Sequence, residues 1–198
     1  MTEPQAFKIR LAGRDDVPAL VEFNLAMARE TEGKDLSPGV LDEGVENLLK
    51  APVYGFYVVA ERTPAAAGTE TDAPSSPNTT GSLTGGSSGA PEIVGSLMVT
   101  FEWSDWRNGL FWWIQSVYVR PDFRRRGVYR ALYDFLKRHA ERPGYRGYVC
   151  GFRLYVERNN IAAQQTYERL GMKETYYKMY EEEIMSAEEM SEIQEDDD

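Results

Sequence analysis

The chain has one cysteine and one histidine in 198 residues. Cys150 has no partner for an internal disulfide, and with His139 alone it cannot build a zinc site from the usual Cys and His ligands. No run of 18 apolar residues occurs, so no membrane span is expected. The opening residues MTEPQAFKIR carry no apolar leader, and a cytoplasmic protein is expected. A basic excess is also missing. Lys and Arg number 22 against 32 Asp and Glu, a net charge of −10, which argues against bulk nucleic-acid binding. That charge is unevenly placed. Ten of the carboxylates fall between Glu181 and Asp198, where there is no Lys or Arg, so the body carries 22 of each sign. Residues 181–198 read as an acidic tail, a helical or disordered extension that aids solubility.

Large apolar residues are scarce in one other place. Residues 63–91 are dominated by Ala, Gly, Ser, Thr and Pro, with Leu83 the only large apolar side chain. Such a stretch cannot bury enough surface to offset its ordering entropy, and it reads as a disordered insertion between two strands. Around it the chain has the apolar and aromatic content of one globular domain. Phe7 to Ala12 is a strand candidate, followed by a helix from about Asp16 in which Leu20, Val21, Phe23, Asn24 and Met27 recur at near-helical spacing. Ser37-Pro38 is an N-cap and first-turn pair for a second helix ending near Lys50. Tyr54 to Glu61 and Glu92 to Phe101 are rich in aromatic and β-branched residues and read as a strand hairpin. Trp103 to Asn108 makes a turn.

Gly109 to Val119 is then a central strand. In it Gln115, Val117 and Val119 alternate with Ser116 and Tyr118, the period of a strand covered on both faces. Pro121 ends it, having no N–H to give to the ladder. Arg124-Arg125-Arg126-Gly127 follows, and a helix starts at once, with Val128, Ala131, Leu132, Phe135 and Leu136 on one face. A helix beginning directly after a strand aims its unpaired first amide N–H groups, and the positive end of its dipole, at the strand's exit. With Gly127 to admit a ligand close to backbone, and the arginines plus Arg130 as positive charge, the junction suits a phosphate. A surface turn of solvated arginines is the competing reading. Beyond Pro143-Gly144 come a strand from Val149 to Val156, a helix from about Asn160 to Leu170 capped by Gly171, and a last strand from Met172 to Tyr180.

Two segments resemble motifs of the GNAT family of N-acetyltransferases. Arg124 and Gly127 match its motif A, Arg/Gln-x-x-Gly-x-Gly/Ala, although the sixth position is Tyr129 here. LYVERNNIAAQQTYERLGM, Leu154 to Met172, is similar to motif B, with Asn160, Ala163, Tyr167 and Gly171 at matching spacing. The resemblance covers roughly Gly109 to Tyr180. It implies a single α/β domain over residues 7–180, with a mixed central sheet flanked by helices in the order β-α-α-β-β-β-α-β-α-β.

The same resemblance implies acetyl-CoA as cofactor and transfer of its acetyl group to an amine. The pantetheine arm would lie between splayed strands against the backbone of Val117 and Val119. Arg125, Arg126, Gly127, Val128, Tyr129 and Arg130 would surround the pyrophosphate with N–H donors, with Arg124 at the family's arginine position and the Asn160 amide on the cofactor. Tyr167 would be the general acid, since a phenol can protonate a thiolate of comparable basicity. The base is less defined. The family's polyamine-type members carry Glu where Gln115 stands, and Gln115 can orient a water or amine but cannot take a proton. The other candidates for the base are Glu102, near the end of the preceding strand, and Glu30 or Glu32 in the loop between the first two helices. Trp103, Trp106, Phe111, Trp112 and Trp113 offer either an aromatic acceptor wall or ordinary core, with Trp112 and Trp113 on opposite faces. His139 is expected on a helix side away from the chemistry. Cys150 lies outside both motifs, so direct attack is expected rather than an acetyl-cysteine.

The acceptor is expected to be an amine-bearing small molecule, such as a polyamine, or a peptide amine, with no nucleic acid and no membrane partner. A homodimer is among the assemblies allowed. The competing function is a non-catalytic acyl-CoA-binding or interaction module.

Overall fold

The structure, a computed structural model, describes residues 7–62 and 91–185. The elements are β1 (Phe7–Leu11), α1 (Val17–Glu32), α2 (Pro38–Lys50), β2 (Gly55–Arg62), β3 (Glu92–Ser104), β4 (Gly109–Val119), α3 (Val128–Ala140), β5 (Val149–Leu154) and α4 (Ile161–Arg169). They form the expected α/β domain around one mixed sheet in the order β1-β2-β3-β4-β5. The first three pairings are antiparallel and β4 pairs β5 in parallel. The parallel pair requires a crossover, and α3 provides it. The expected insertion at 63–91 lies, but for Pro91, outside the described residues, as does the acidic tail beyond Met185.

Each face of the sheet is covered by helices whose apolar stripe the sequence carries. Val128, Leu132 and Leu136 of α3 pack on Val58, Ala60, Leu97, Val99, Trp112 and Ile114. On the other face Val17 and Leu20 of α1, with Val45 and Leu48 of α2, cover Tyr57 and Val59. Truncating a fully buried leucine such as Leu132 in a core of this kind costs about 2–5 kcal/mol. Arg10 ties the first strand to this frame. Its guanidinium forks onto Asp16 at 2.6 and 2.8 Å and reaches Glu61 at 2.5 Å. Burial alone would raise the Asp16 carboxyl, but Arg10 and the Gly13 N–H hold it below its ordinary range.

Two expectations are corrected. β3 runs on to Ser104, so Trp103 is a strand residue and the turn is confined to Asp105–Arg107 and Asn108. The last strand, Met172 to Tyr180, does not form, and residues 172–185 have no regular structure. Its tyrosines signal a strand by propensity, but a strand also needs a buried face. Tyr176, Tyr177 and Tyr180 are all exposed, and neighbouring Tyr176 and Tyr177 would point to opposite faces.

Candidate active site

β4 and β5 run side by side from Leu110 and Val149 to Ile114 and Leu154, then part. β4 continues to Val119 against β3, while the chain after Leu154 turns away toward α4. The bend has a local cause. Met98 pairs with Ser116 but Val99 pairs with Ile114, so Gln115 is the extra residue of a β-bulge. A bulge reverses the parity of the side chains that follow it. Trp112 and Ile114 face the α3 core before the bulge, and Val117 and Val119 face it afterwards. This corrects the simple alternation, which set Gln115 on the face of Val117 and Val119. Gln115 is instead exposed, and its Nε2 donates to Thr100 Oγ1 at 2.8 Å.

Past the bulge, β4 has no strand beside it on one edge among the described residues. The Arg120 N–H donates to Val94 O at 3.0 Å across β3. By strand alternation the peptide groups of Val117 and Val119 turn the other way, into the gap that β5 has left.

The loop at the end of β4 is held in an uncommon shape. Phe123 is buried and the Arg120 and Arg126 guanidinium groups each lie 5.3 Å from its ring centre. Arg125 and Gly127 both take left-handed dihedrals, with φ of 64° and 84°. For Arg125 that conformation costs about 1–2 kcal/mol. The first rung of α3 runs from the Ala131 N–H to Gly127 O at 3.0 Å. The N–H groups of Val128, Tyr129 and Arg130 therefore precede the ladder and point out of the helix's positive end. Arg124 serves the loop differently. Its Nε donates to Val119 O at 2.9 Å and its Nη2 to Glu30 at 2.5 Å, while Glu30 also accepts from the Tyr118 hydroxyl at 3.1 Å. Burial first, and then Glu30, pushes the Tyr118 phenol up.

α4 comes in beside α3. Asn160 caps it, its Oδ1 accepting from the Ala163 N–H at 3.1 Å. Tyr167, one face along, sets its ring 5.4 Å from that of Tyr129 at 66°. Burial pushes the Tyr167 phenol above its ordinary value. Tyr129 in turn stacks on Tyr133, at 6.2 Å and 16°.

The carboxylates of the base question are all engaged. Glu102 accepts from Arg153 Nη1 at 2.5 Å and from the Trp113 indole N–H. Glu30 holds Arg124, and Glu32 pairs with Lys34 at 2.9 Å. The aromatic cluster divides. Trp112 is fully buried in the core, Trp103 and Trp106 are exposed, and Trp113 lies on the face opposite Trp112 with Tyr155 4.6 Å away. His139 is on α3 as expected but faces inward among Phe56, Trp112, Phe135 and Tyr145.

Sequence reasoning passed over Arg153, whose guanidinium sits 3.6 Å from the Phe111 ring centre. No local signal marks it, because its partner Glu102 is 51 positions away. Among the described residues no group of three His, Cys, Asp or Glu could hold a metal, and no helix is long and apolar enough to cross a membrane.

The parting of β4 and β5 thus lies beside the open start of α3, whose Tyr129 meets the ring of Tyr167. The profile of the acetyltransferase (GNAT) family matches residues 46–172. The chain belongs to the GNAT family of acetyltransferases, which draw their acyl group from acetyl-CoA. Among solved structures it is similar to a possible acetyltransferase from Clostridium difficile 630, with 37% identity and a TM-score of 0.70 over 91% of this chain and 99% of that one. The fold also matches a ribosomal-protein-alanine N-acetyltransferase from Brucella melitensis biovar Abortus 2308, at 16% identity and TM-score 0.58, over 90% of this chain and all of that one. A third likeness is an aminoglycoside N-acetyltransferase, AAC(6')-Iy, in complex with CoA, at 12% identity and TM-score 0.61, over 91% and 96% of the two chains. No curated protein matches the sequence.

Proposed function

We propose that this protein is an acetyl-CoA-dependent N-acetyltransferase whose acceptor is a primary amine, attacking the thioester directly. The observation that carries this reading is the parting of β4 and β5 after Ile114 and Leu154, beside the open start of α3. Bound acetyl-CoA supplies an acetyl group activated as a thioester. The residues present fit that group. The N–H groups of Arg125, Arg126, Gly127, Val128, Tyr129 and Arg130 would hold its pyrophosphate, a role that asks nothing of the side chain at position 129. The peptide groups of Val117 and Val119 would pair with the pantetheine arm as a neighbouring strand does. The Asn160 side-chain amide keeps its N–H donors for the cofactor while its oxygen caps α4.

Tyr167 donates its Oη proton to the sulfur that leaves. A phenol is protonated at neutral pH, the state a general acid needs, and burial pushes that of Tyr167 further up. Arg124 acts through position, bracing the loop against α1. Glu102 is committed to Arg153 and Trp113, so we assign it to shaping the acceptor face rather than to taking a proton. Gln115, exposed at the bulge, orients the amine or the water that relays its proton to solvent.

The test is thiol release from acetyl-CoA against polyamines, amino acids, aminoglycosides and short peptides with free amines. Turnover with one group supports the enzyme and names the acceptor class. Silence across the panel, with acetyl-CoA still raising the melting temperature, would favour a non-catalytic acyl-CoA binder.

A further inference from the structure

Four buried side-chain polar atoms among the described residues have no hydrogen-bond partner: Arg62 Nε, Trp112 Nε1, His139 Nδ1 and the Tyr129 hydroxyl. Trp112 and His139 belong to the core, and Arg62 packs over Phe123 with its Nη1 on Glu92, which holds the guanidinium in place without the Nε. Tyr129 stands on the first turn of α3, whose backbone is assigned above to the cofactor, and its ring meets Tyr167 edge to face. An unpaired buried hydroxyl costs about 1–3 kcal/mol, a cost that phenylalanine would avoid. The packing gives the oxygen no purpose, because stacking on Tyr133 and the edge contact with Tyr167 need only the ring.

We propose that Tyr129 is a positioning residue for Tyr167: its hydroxyl, unpaired in the resting protein, donates a hydrogen bond to the Tyr167 oxygen as that oxygen gives up its proton. This rests on Tyr167 being the proton donor, and it deepens that assignment. The balance is simple. The Tyr167 Oη proton passes to the departing sulfur, the O–H bond of Tyr129 stays intact, and the negative charge left on Tyr167 draws the neighbouring Tyr129 hydroxyl, unpaired until then, into a hydrogen bond. Such a donor matters because Tyr167 is part-buried, where a phenolate is poorly solvated. A hydrogen bond to an ionised oxygen is roughly twice as strong as one between neutral groups. A donor kept unpaired beforehand also gives up no other hydrogen bond when it turns to the charge.

The titratable groups facing Tyr129 are Tyr133 on its own helix and Tyr167 on α4. Lys137 lies 4.5 Å from the Tyr133 ring centre and Asp134 acts on that same phenol, so both reach Tyr129 only through Tyr133. Among the described residues no carboxylate or cation hydrogen-bonds the Tyr129 hydroxyl to take over its role.

The experiment is Tyr129→Phe in the full chain, with Tyr167→Phe alongside. The melting temperature of the free variant should equal or exceed that of the parent, since an unpaired hydroxyl has been removed. The kcat should fall about tenfold, with KM for acetyl-CoA unchanged. The basic limb of the kcat–pH profile should move up by about one pH unit, because Tyr167 has become a weaker acid. A readout that needs no turnover is the tyrosinate absorbance of the free protein. The ionisation that Tyr167→Phe removes, and so identifies, should shift upward by a similar amount in the single variant Tyr129→Phe.

A lower melting temperature in Tyr129→Phe would mean the hydroxyl is paired at rest, and would overturn the proposal. An unmoved limb and an unmoved Tyr167 titration would do the same. A raised KM with kcat retained would assign the hydroxyl to the cofactor instead. Retained turnover in Tyr167→Phe is a different failure: it would remove Tyr167 as the donor, whatever Tyr129 does.

Discussion

Arg124 and Glu30 stand 94 positions apart in the chain and form an ion pair at 2.5 Å, joining the loop after β4 to the last turn of α1. Both side chains are well exposed, at 44% and 39%, so the pair adds little to global stability. Glu30→Ala should change the unfolding free energy by less than about 1 kcal/mol in urea denaturation. A loss above about 2 kcal/mol would show that the loop and α1 are coupled far more tightly than an exposed pair allows.

Tyr167→Phe should cut kcat by about 10²- to 10⁴-fold, the range of a general acid, while CoA affinity by calorimetry stays within about twofold. Loss of affinity with kcat retained would move Tyr167 from the chemistry to cofactor binding.

Gly127 has no neighbouring atom within 4 Å of where a Cβ would stand, so space does not constrain it. Its φ of 84° does. Gly127→Ala should destabilise the protein by about 1–2 kcal/mol and weaken CoA binding, while Gly127→Asn, which tolerates left-handed dihedrals better, should do less harm on both counts. Equal effects of Ala and Asn in a denaturation series would count against the backbone explanation.

His139 is buried with its Nδ1 unpaired, and burial, with a smaller push from Arg142, lowers its pKa. It is therefore neutral in the folded protein where the unfolded chain already binds a proton. The sign follows: stability is complete above about pH 6.5, the unfolded value, and declines as the pH falls below it toward the depressed folded value. His139→Phe should flatten that decline between about pH 6.5 and 5, a window above the ordinary titration range of carboxylates. The check is melting temperature against pH for both proteins. Parallel curves would place the acid sensitivity elsewhere.

Much of the fold was legible because its signals are local. The span of β4 agrees to the residue, from Gly109 to Val119, since an asparagine-glycine turn opens it and a proline follows it. α2 starts at Pro38 after Ser37, as the cap and first-turn pair predicts. The α3 stripe of Val128, Leu132 and Leu136 is buried as its spacing requires. The missing last strand marks the limit of such signals. Propensity can be read from Tyr176, Tyr177 and Tyr180, but whether a sheet face is there to receive them cannot.

The candidate site divides along the same line. Its order along the chain, a strand, an arginine–glycine loop, a helix start and then Asn160 and Tyr167 on a second helix, is a property of the sequence. The bulge at Gln115 is not, because a one-residue slip against β3 depends on how two strands settle their register, Val99 pairing with Ile114 but Met98 with Ser116. Gly151 shows the same dependence. A Cβ there would come within 2.7 Å of the Phe111 ring, so this glycine is explained by a ring 40 positions earlier rather than by any turn. The chain by itself determined most of the elements, the family motifs and the residue types put forward for an anion and a thiolate, since helix starts, dihedral freedom and phenol acidity are local properties. Only the tertiary structure decided that Glu102 and Glu30 are already spoken for, and that the Tyr129 hydroxyl lies buried and unpaired beside Tyr167. Those facts depend on distances between residues far apart in sequence, and such distances exist only once the sheet and its two helical layers have packed.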